Sequence, residues 1–344
     1  MAIQDQLSKI VALATGASLT APYPPVALDL EADALSLVRF KASRRGKPLL
    51  EAHVRRRLDE AILPDSIFDS ASTQGSGLAE RLAELFESTG TRPGKLSMVI
   101  PDNLAKITLV TLPERPANAT QLDELVRAKM RRAVPFRLED ASLSYQLFPS
   151  EGREVSVLVI LVHRALIDQL EAAVRSIGGR PGLIDLATPN LLNLMRGEME
   201  RLSSLGSEPK DVALLNCAAR YFSLVIVRRG RVIFFRCKTF NHTEDGVVVP
   251  NGTLAREVGN SFSYYREKLA GEGIGHLLVR STSMSTDLIE QQLEPLDCGE
   301  IHPIEFQNAL QMADGVRLDR EAAQFLAPAI GAAVGRTAKL STAG

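Results

Sequence analysis

Val26-Ala-Leu-Asp-Leu-Glu-Ala-Asp-Ala-Leu-Ser-Leu-Val-Arg-Phe40 and Val212-Ala-Leu-Leu-Asn-Cys-Ala-Ala-Arg-Tyr-Phe-Ser-Leu-Val-Ile-Val227 echo each other along the chain. Each reads as an apolar strand, a tight corner carrying Asp29 or Asn216, and a returning strand. Two such units point to two related αβ bodies. A hairpin that handles phosphate needs exposed backbone N–H groups and close approach, which glycine allows and a side chain obstructs. Neither corner contains a glycine.

Working outward, strands are predicted over 26–30 and 34–40, with a third beginning near 46–50, then a helix over 78–86 and strands over 95–100 and 107–112. Pro101 and Pro113 punctuate the last two. A helix over 120–132 follows, with Thr120 and Asp123 at capping spacing and Lys129, Arg131 and Arg132 in the last turn. Strands over 141–147 and 154–162 come next, the second apolar enough to be buried on both faces. A helix over 165–177 ends at Gly178-Gly179. After a new segment at 182–185 and a helix over 191–202, strands are predicted over 212–227 and 232–236. Helices over 254–269, 287–293 and 321–334 and a strand over 275–279 complete the pattern. Mixed strands and helices exclude a helical bundle and an all-strand sandwich.

Forty basic and 41 acidic side chains leave a net charge of -1, so no global attraction to nucleic acid or anionic membrane is expected. The basic clusters Lys41/Arg44/Arg45/Lys47 and Arg55/Arg56/Arg57 read as solvated faces, with a local partner-binding patch as the alternative. Cys217, Cys237 and Cys298 read as core thiols of a reducing compartment. The five histidines are scattered without zinc-type spacing, and no metal site is expected. No apolar run is long enough to span a membrane. With no secretory signal visible, a cytoplasmic protein is expected. Residues 1–25 form an N-terminal extension with one short apolar helical face, broken by Gly16 and Pro22.

The block Val99-Ile-Pro-Asp-Asn-Leu-Ala-Lys-Ile-Thr-Leu-Val-Thr-Leu-Pro113, followed by Leu122–Met130, Ala133-Val-Pro-Phe136 and Glu139-Asp-Ala-Ser-Leu-Ser-Tyr145, resembles the family of PilM, an actin-like type IV pilus assembly protein. Asn260-Ser-Phe-Ser-Tyr-Tyr-Arg266 and Ala329-Ile-Gly-Ala-Ala-Val-Gly335 resemble its later helices. The resemblance implies an α/β, actin-like fold, with two ribonuclease-H-like bodies around a cleft and a small inserted α+β subdomain. The first body would span 26–190, interrupted by the insertion at 104–156, and the second 205–336. It also implies a cytoplasmic scaffold, peripheral to the inner membrane through its partners. That scaffold would bind the N-terminal cytoplasmic tail of a PilN-like membrane protein, beside the cytoplasmic pilus motor, and homo-oligomers are compatible with it. The tail's groove would lie between the first body and the insertion, with Pro135 and Phe136 as its apolar platform or, alternatively, as a core wedge.

The family's phosphate corners read aspartate, an apolar residue, then glycine. Here Asp29 matches the first aspartate, but Glu31 stands at the glycine. At the second corner Asn216 replaces the carboxylate and Ala218 the glycine. Residues 239–245 lack the family's paired glycines, as does the adenosine-side loop after 277–279. Glu31 and Asp33 would repel a polyphosphate unless a cation compensated. Arg236 and Arg280 read as solvated, with entry into the cleft as the alternative. These substitutions imply a pseudo-ATPase with weak or no nucleotide binding. The alternative is a genuine actin-like ATPase, with ATP and Mg as cofactors, coupling nucleotide state to pilus or secretion complex assembly. A two-metal nuclease built on Asp29, Asp185 and Asp211 is a further alternative, weakened by the missing basic footprint.

Overall fold

The computed structural model describes residues 24–334 apart from 42–46, 70–76, 132, 135, 150–153, 206–209, 241, 244–245 and 248–251. The expected N-terminal helical face, the basic residues Arg44 and Arg45, Arg132, Pro135 and part of the 239–245 segment lie outside the described residues. In chain order the elements begin with β1 (Val26–Leu30), β2 (Ala34–Lys41), β3 (Leu49–Arg57), α1 (Leu78–Ser88) and β4 (Lys95–Ile100). Then come β5 (Ala105–Leu112), α2 (Ala119–Met130), β6 (Ala141–Pro149), β7 (Val155–His163), α3 (Arg164–Ser176), β8 (Arg180–Leu186) and α4 (Ala187–Ser203). The second half holds β9 (Asp211–Cys217), β10 (Tyr221–Arg228), β11 (Arg231–Thr239), the short pair β12 (His242–Thr243) and β13 (Gly246–Val247), and α5 (Thr253–Lys268). It closes with β14 (Ile274–Ser281), α6 (Thr286–Leu293), β15 (Glu300–Pro303), β16 (Gln311–Met312) and α7 (Arg320–Val334).

The echo in the sequence is an echo in topology. The first sheet runs β16-β3-β2-β1-β4-β8 and the second β11-β10-β9-β14-β15. In each, three antiparallel strands are extended by two parallel ones on the side of the first strand. Asp29 lies opposite Ser36 and Asn216 opposite Ser223. The corners close alike: the Glu31 N–H donates to Ala34 O and the Ala218 N–H to Tyr221 O, both at 2.9 Å. Even the register shifts correspond, at Arg39/Phe40 and at Ile226/Val227.

Alternation along the strands explains their continuous apolar runs. Leu28, Leu30, Leu35 and Leu37 face α1 and α3, whereas Ala27, Val38 and Phe40 face the opposite way. In the second sheet Ala213, Leu215 and Cys217 face α5 and α6, while Val212 and Leu214 face inward. The two inward faces share one core with α4 and α7, a sandwich of helices, sheet, helices, sheet, helices. The two central helices cross over: α4 follows β8 yet packs on β9 and β14, and α7 returns from the second body to β1, β2 and β4. They meet at Gly331, where a Cβ would fall 2.2 Å from the Asn190 carbonyl oxygen.

β5, α2, β6 and β7 make the inserted subdomain, a three-stranded antiparallel sheet ordered β5-β7-β6. Central β7 is apolar on both sides because both are covered. Val157, Val159 and Leu161 meet Leu122, Val126 and Met130 of α2, and Leu158 meets Val225, Val232 and Phe235 of the second body. The α2 N-cap is Asn118, whose side chain accepts from the Gln121 N–H at 2.9 Å, rather than Thr120. A helix begun at Ala119 places Thr120 inside the first turn.

Candidate functional site

The two corners are joined by one side chain, Arg280, which bonds to Glu31 of the first and Asn216 of the second. Arg280, on β14 beside Asn216 of β9, has no exposed surface. Its Nη2 donates to Glu31 Oε1 of the other body at 3.0 Å and its Nη1 to Asn216 Oδ1 at 3.0 Å. Its Nε donates to the Gln324 carbonyl oxygen at 2.8 Å. That acceptor has a sequence cause. Pro328 lies inside α7 and has no N–H, so the carbonyl four residues earlier, Gln324, is released from the helix ladder. Burial works against the Arg280 charge, but Glu31, Tyr221 and Asp29 hold its pKa above the ordinary value. Arg280 is therefore the cleft residue and not a solvated one, correcting the surface reading. Arg236 instead pairs with Glu257 of α5 at 3.0 Å.

Other guanidinium groups gather on the first corner. Arg55 reaches Glu31 at 3.7 Å and stacks 3.8 Å over the Phe325 ring. Arg57 lies 3.9 Å from Asp33, and Arg56 lies 3.6 Å from Glu84. The basic run is thus strand β3 with ion-paired side chains, and its Arg55 is drawn inward, not solvated. Arg220 of the second corner pairs with Asp65 of the first body.

Asp29 is buried and its Oδ2 has no hydrogen-bond partner. Desolvation, then the neighbouring Glu31 charge, raises its pKa well above the ordinary carboxylate value. The direction of that shift works against the ionised carboxylate that a magnesium ion needs. Asn216 donates to Thr188 Oγ1 at 2.9 Å, and Thr188 donates in turn, through N–H (3.1 Å) and hydroxyl, to Asp102. Ser223 Oγ also donates to Asp102, at 2.7 Å. Burial raises the Asp102 pKa against the pull of these donors. Asp102 was legible only as the polar residue ending a strand. The signal available was its place at the carboxyl end of a strand in an α/β sheet, where sites gather.

The other candidates lie as follows. Ala218 is buried at its corner. Phe136 is half-buried against the core of the inserted subdomain, 4.7 Å from the His163 ring at the junction with α3. Phe68, 66% exposed, stands beside the strand end from which the insertion departs, next to the Ile67 N–H that donates to Asn103 O. Asp211 binds Arg228 (2.8 Å) and the Tyr265 hydroxyl (2.7 Å). Among the described residues, Asp29, Asp185 and Asp211 do not form a cluster with ligand atoms within 4.8 Å of one another.

Twin sheets of one strand order, a shared helical core and an inserted subdomain define an actin-like protein whose two corners are bridged by Arg280. The family model described as type IV pilus assembly protein PilM matches residues 27–244, and the chain belongs to that family. Among solved structures it resembles a PilM-PilN type IV pilus biogenesis complex, with TM-score 0.71 and 19% identity over 90% of this chain and 96% of that one. Weaker likeness joins it to a Bacteroides thetaiotaomicron protein with an actin-like ATPase fold (TM-score 0.46, 11% identity, 87% and 95% covered). The cytoplasmic domain of EpsL, an inner-membrane component of the Vibrio cholerae type II secretion system, matches at TM-score 0.45 and 10% identity (87% and 92% covered). No curated protein matches the sequence. Among the described residues, no helix is long and apolar enough to cross a membrane.

Proposed function

We propose that the chain is a scaffold of the type IV pilus inner-membrane assembly complex, held at the membrane by the cytoplasmic tail of a PilN-like protein, and that it takes little or no ATP. The observation that carries the nucleotide half is Arg280. A fully buried guanidinium bridges the two corners, with three of its five N–H donors given to Glu31, Asn216 and Gln324. Phosphate would have to break a desolvated ion pair and face the Glu31 carboxylate. Burial and the Glu31 charge raise the Asp29 pKa, which works against magnesium, and the Glu31 and Ala218 N–H groups already donate within their own hairpins.

The partner half is supported by family membership and by the solved PilM-PilN complex that this fold resembles. The seam between the first body and the inserted subdomain offers apolar surface at Phe136 and Phe68. An extended tail docking there would bury aromatic area while its backbone stays partnered. The test is fluorescence anisotropy of the labelled tail peptide from the PilN-like protein. Saturable binding by the wild type, weakened at least tenfold in Phe136→Ala or Phe68→Ala, supports the reading. No binding by the wild type removes it, and normal binding by both folded variants moves the groove elsewhere.

A further inference from the structure

We propose that His276, Glu300 and His302 form a binding site for a divalent transition metal of the zinc class, on the edge of the second sheet. β14 and β15 run parallel, with His276 opposite Glu300 and Leu278 opposite His302. Side chains alternate along strands, so these three share one face while Leu277 and Ile301 pack into the core on the other. The pairing brings His276 to a Glu300/His302 pair that lies 24 and 26 residues later in the chain.

The geometry fits an ion. His276 Nδ1 and His302 Nε2 are 3.1 Å apart, and Glu300 Oε2 lies 3.6 Å from the first and 3.7 Å from the second. The point equidistant from three atoms at those separations is about 2.0 Å from each, which is the zinc distance to imidazole nitrogen and to carboxylate oxygen. In the free protein one ring donates its N–H to the other. A bound metal takes both lone pairs, and each ring keeps its remaining proton on the nitrogen facing away. Two imidazoles with one carboxylate favour zinc, nickel, cobalt or copper over magnesium or calcium.

The surroundings suit a fastening site. The rings are half-buried, while the Glu300 side chain is 70% exposed and leaves a path for the ion and a coordination position for water. Glu198 of α4 lies close enough to feel the charge of both rings, and it is held by Arg201 at 2.6 Å. Its two oxygens accept from Arg201, so it adds negative charge near the rings without bonding to them. Arg201 and Lys210 are the cationic groups nearby. A metal here would tie β15, a four-residue edge strand, to β14 and towards α4.

The test is calorimetric titration of the chelator-stripped full chain with zinc chloride, with cobalt(II) visible absorption as a second readout. One ion per chain is expected, with cobalt bands of four- or five-coordinate intensity. His302→Ala and His276→Ala should each weaken zinc at least tenfold, while His53→Ala, a surface histidine elsewhere, should leave it unchanged. Where a histidine variant misfolds, Glu300→Ala on the exposed ligand tests the same site. No saturable zinc binding by the wild type overturns the proposal. So does wild-type affinity in the folded His302→Ala, His276→Ala and Glu300→Ala variants.

Discussion

Replacing Arg280 by methionine keeps the stem and removes the guanidinium. Glu31 then loses its 3.0 Å partner and keeps Arg55 at 3.7 Å, while Asn216 Oδ1 and the Gln324 carbonyl lose the donor they accept from. The helix cannot recapture Gln324, because residue 328 is proline. Arg280 is wholly buried and the Glu31 side chain is 13% exposed, so solvent screens the pair weakly. Removing one partner of such a pair costs about 3–5 kcal/mol. At about 2 °C per kcal/mol for a chain of this size, the melting temperature should fall by roughly 6–10 °C. The assay is thermal unfolding of wild type, Arg280→Met, Glu31→Gln and the double variant. Deleting the carboxylate removes the charge that Arg280→Met strands, so the double variant should lose less than the sum, by about 1–3 kcal/mol. A single variant melting within about 2 °C of wild type, or strictly additive losses, would refute the bridge.

Other consequences follow from burial and close approach. Asp29 has a raised folded-state pKa, so the native state binds its proton more tightly than the unfolded chain, and stability is lost as pH rises above the ordinary value of 3.8. Asp29→Asn removes that loss, so its stability relative to wild type should improve as pH rises from about 4 in urea unfolding, and a difference constant from about pH 4 upward would contradict the assignment. Gly331→Ala should cost about 3 kcal/mol, because the backbone of Asn190 blocks the new methyl group. Gly197→Ala on exposed α4 surface, with nothing within 4 Å, should be neutral or gain up to about 1 kcal/mol. Equal effects of the two on urea midpoints would sink the packing account.

The strand pairs at the two corners were legible because buried strands of an α/β sheet leave apolar runs that survive without knowledge of their neighbours. β15 and β16 were not: four and two residues carry no period, and Glu300–Pro303 is polar on the face that brings His276 and His302 together. β3 was only half visible, since Arg55, Arg56 and Arg57 read as a charge run when each carboxylate partner lies elsewhere in the chain. The degenerate corners could be read from Glu31 and Ala218, yet the residue that fills the space could not. Arg280 enters the cleft through β9–β14 pairing, and its acceptor on α7 depends on a proline 48 residues later in the chain. Phe136 left both readings open. The ring is half-buried, packed against His163 and the subdomain core, a placement that no sequence period marks.

Calorimetric titration of the purified full chain with MgATP tests the central claim most directly. The Arg280 bridge predicts no saturable heat through the micromolar range and no nucleotide-dependent rise in melting temperature. Binding at micromolar affinity, with a matching thermal shift, would contradict it and restore the actin-like ATPase.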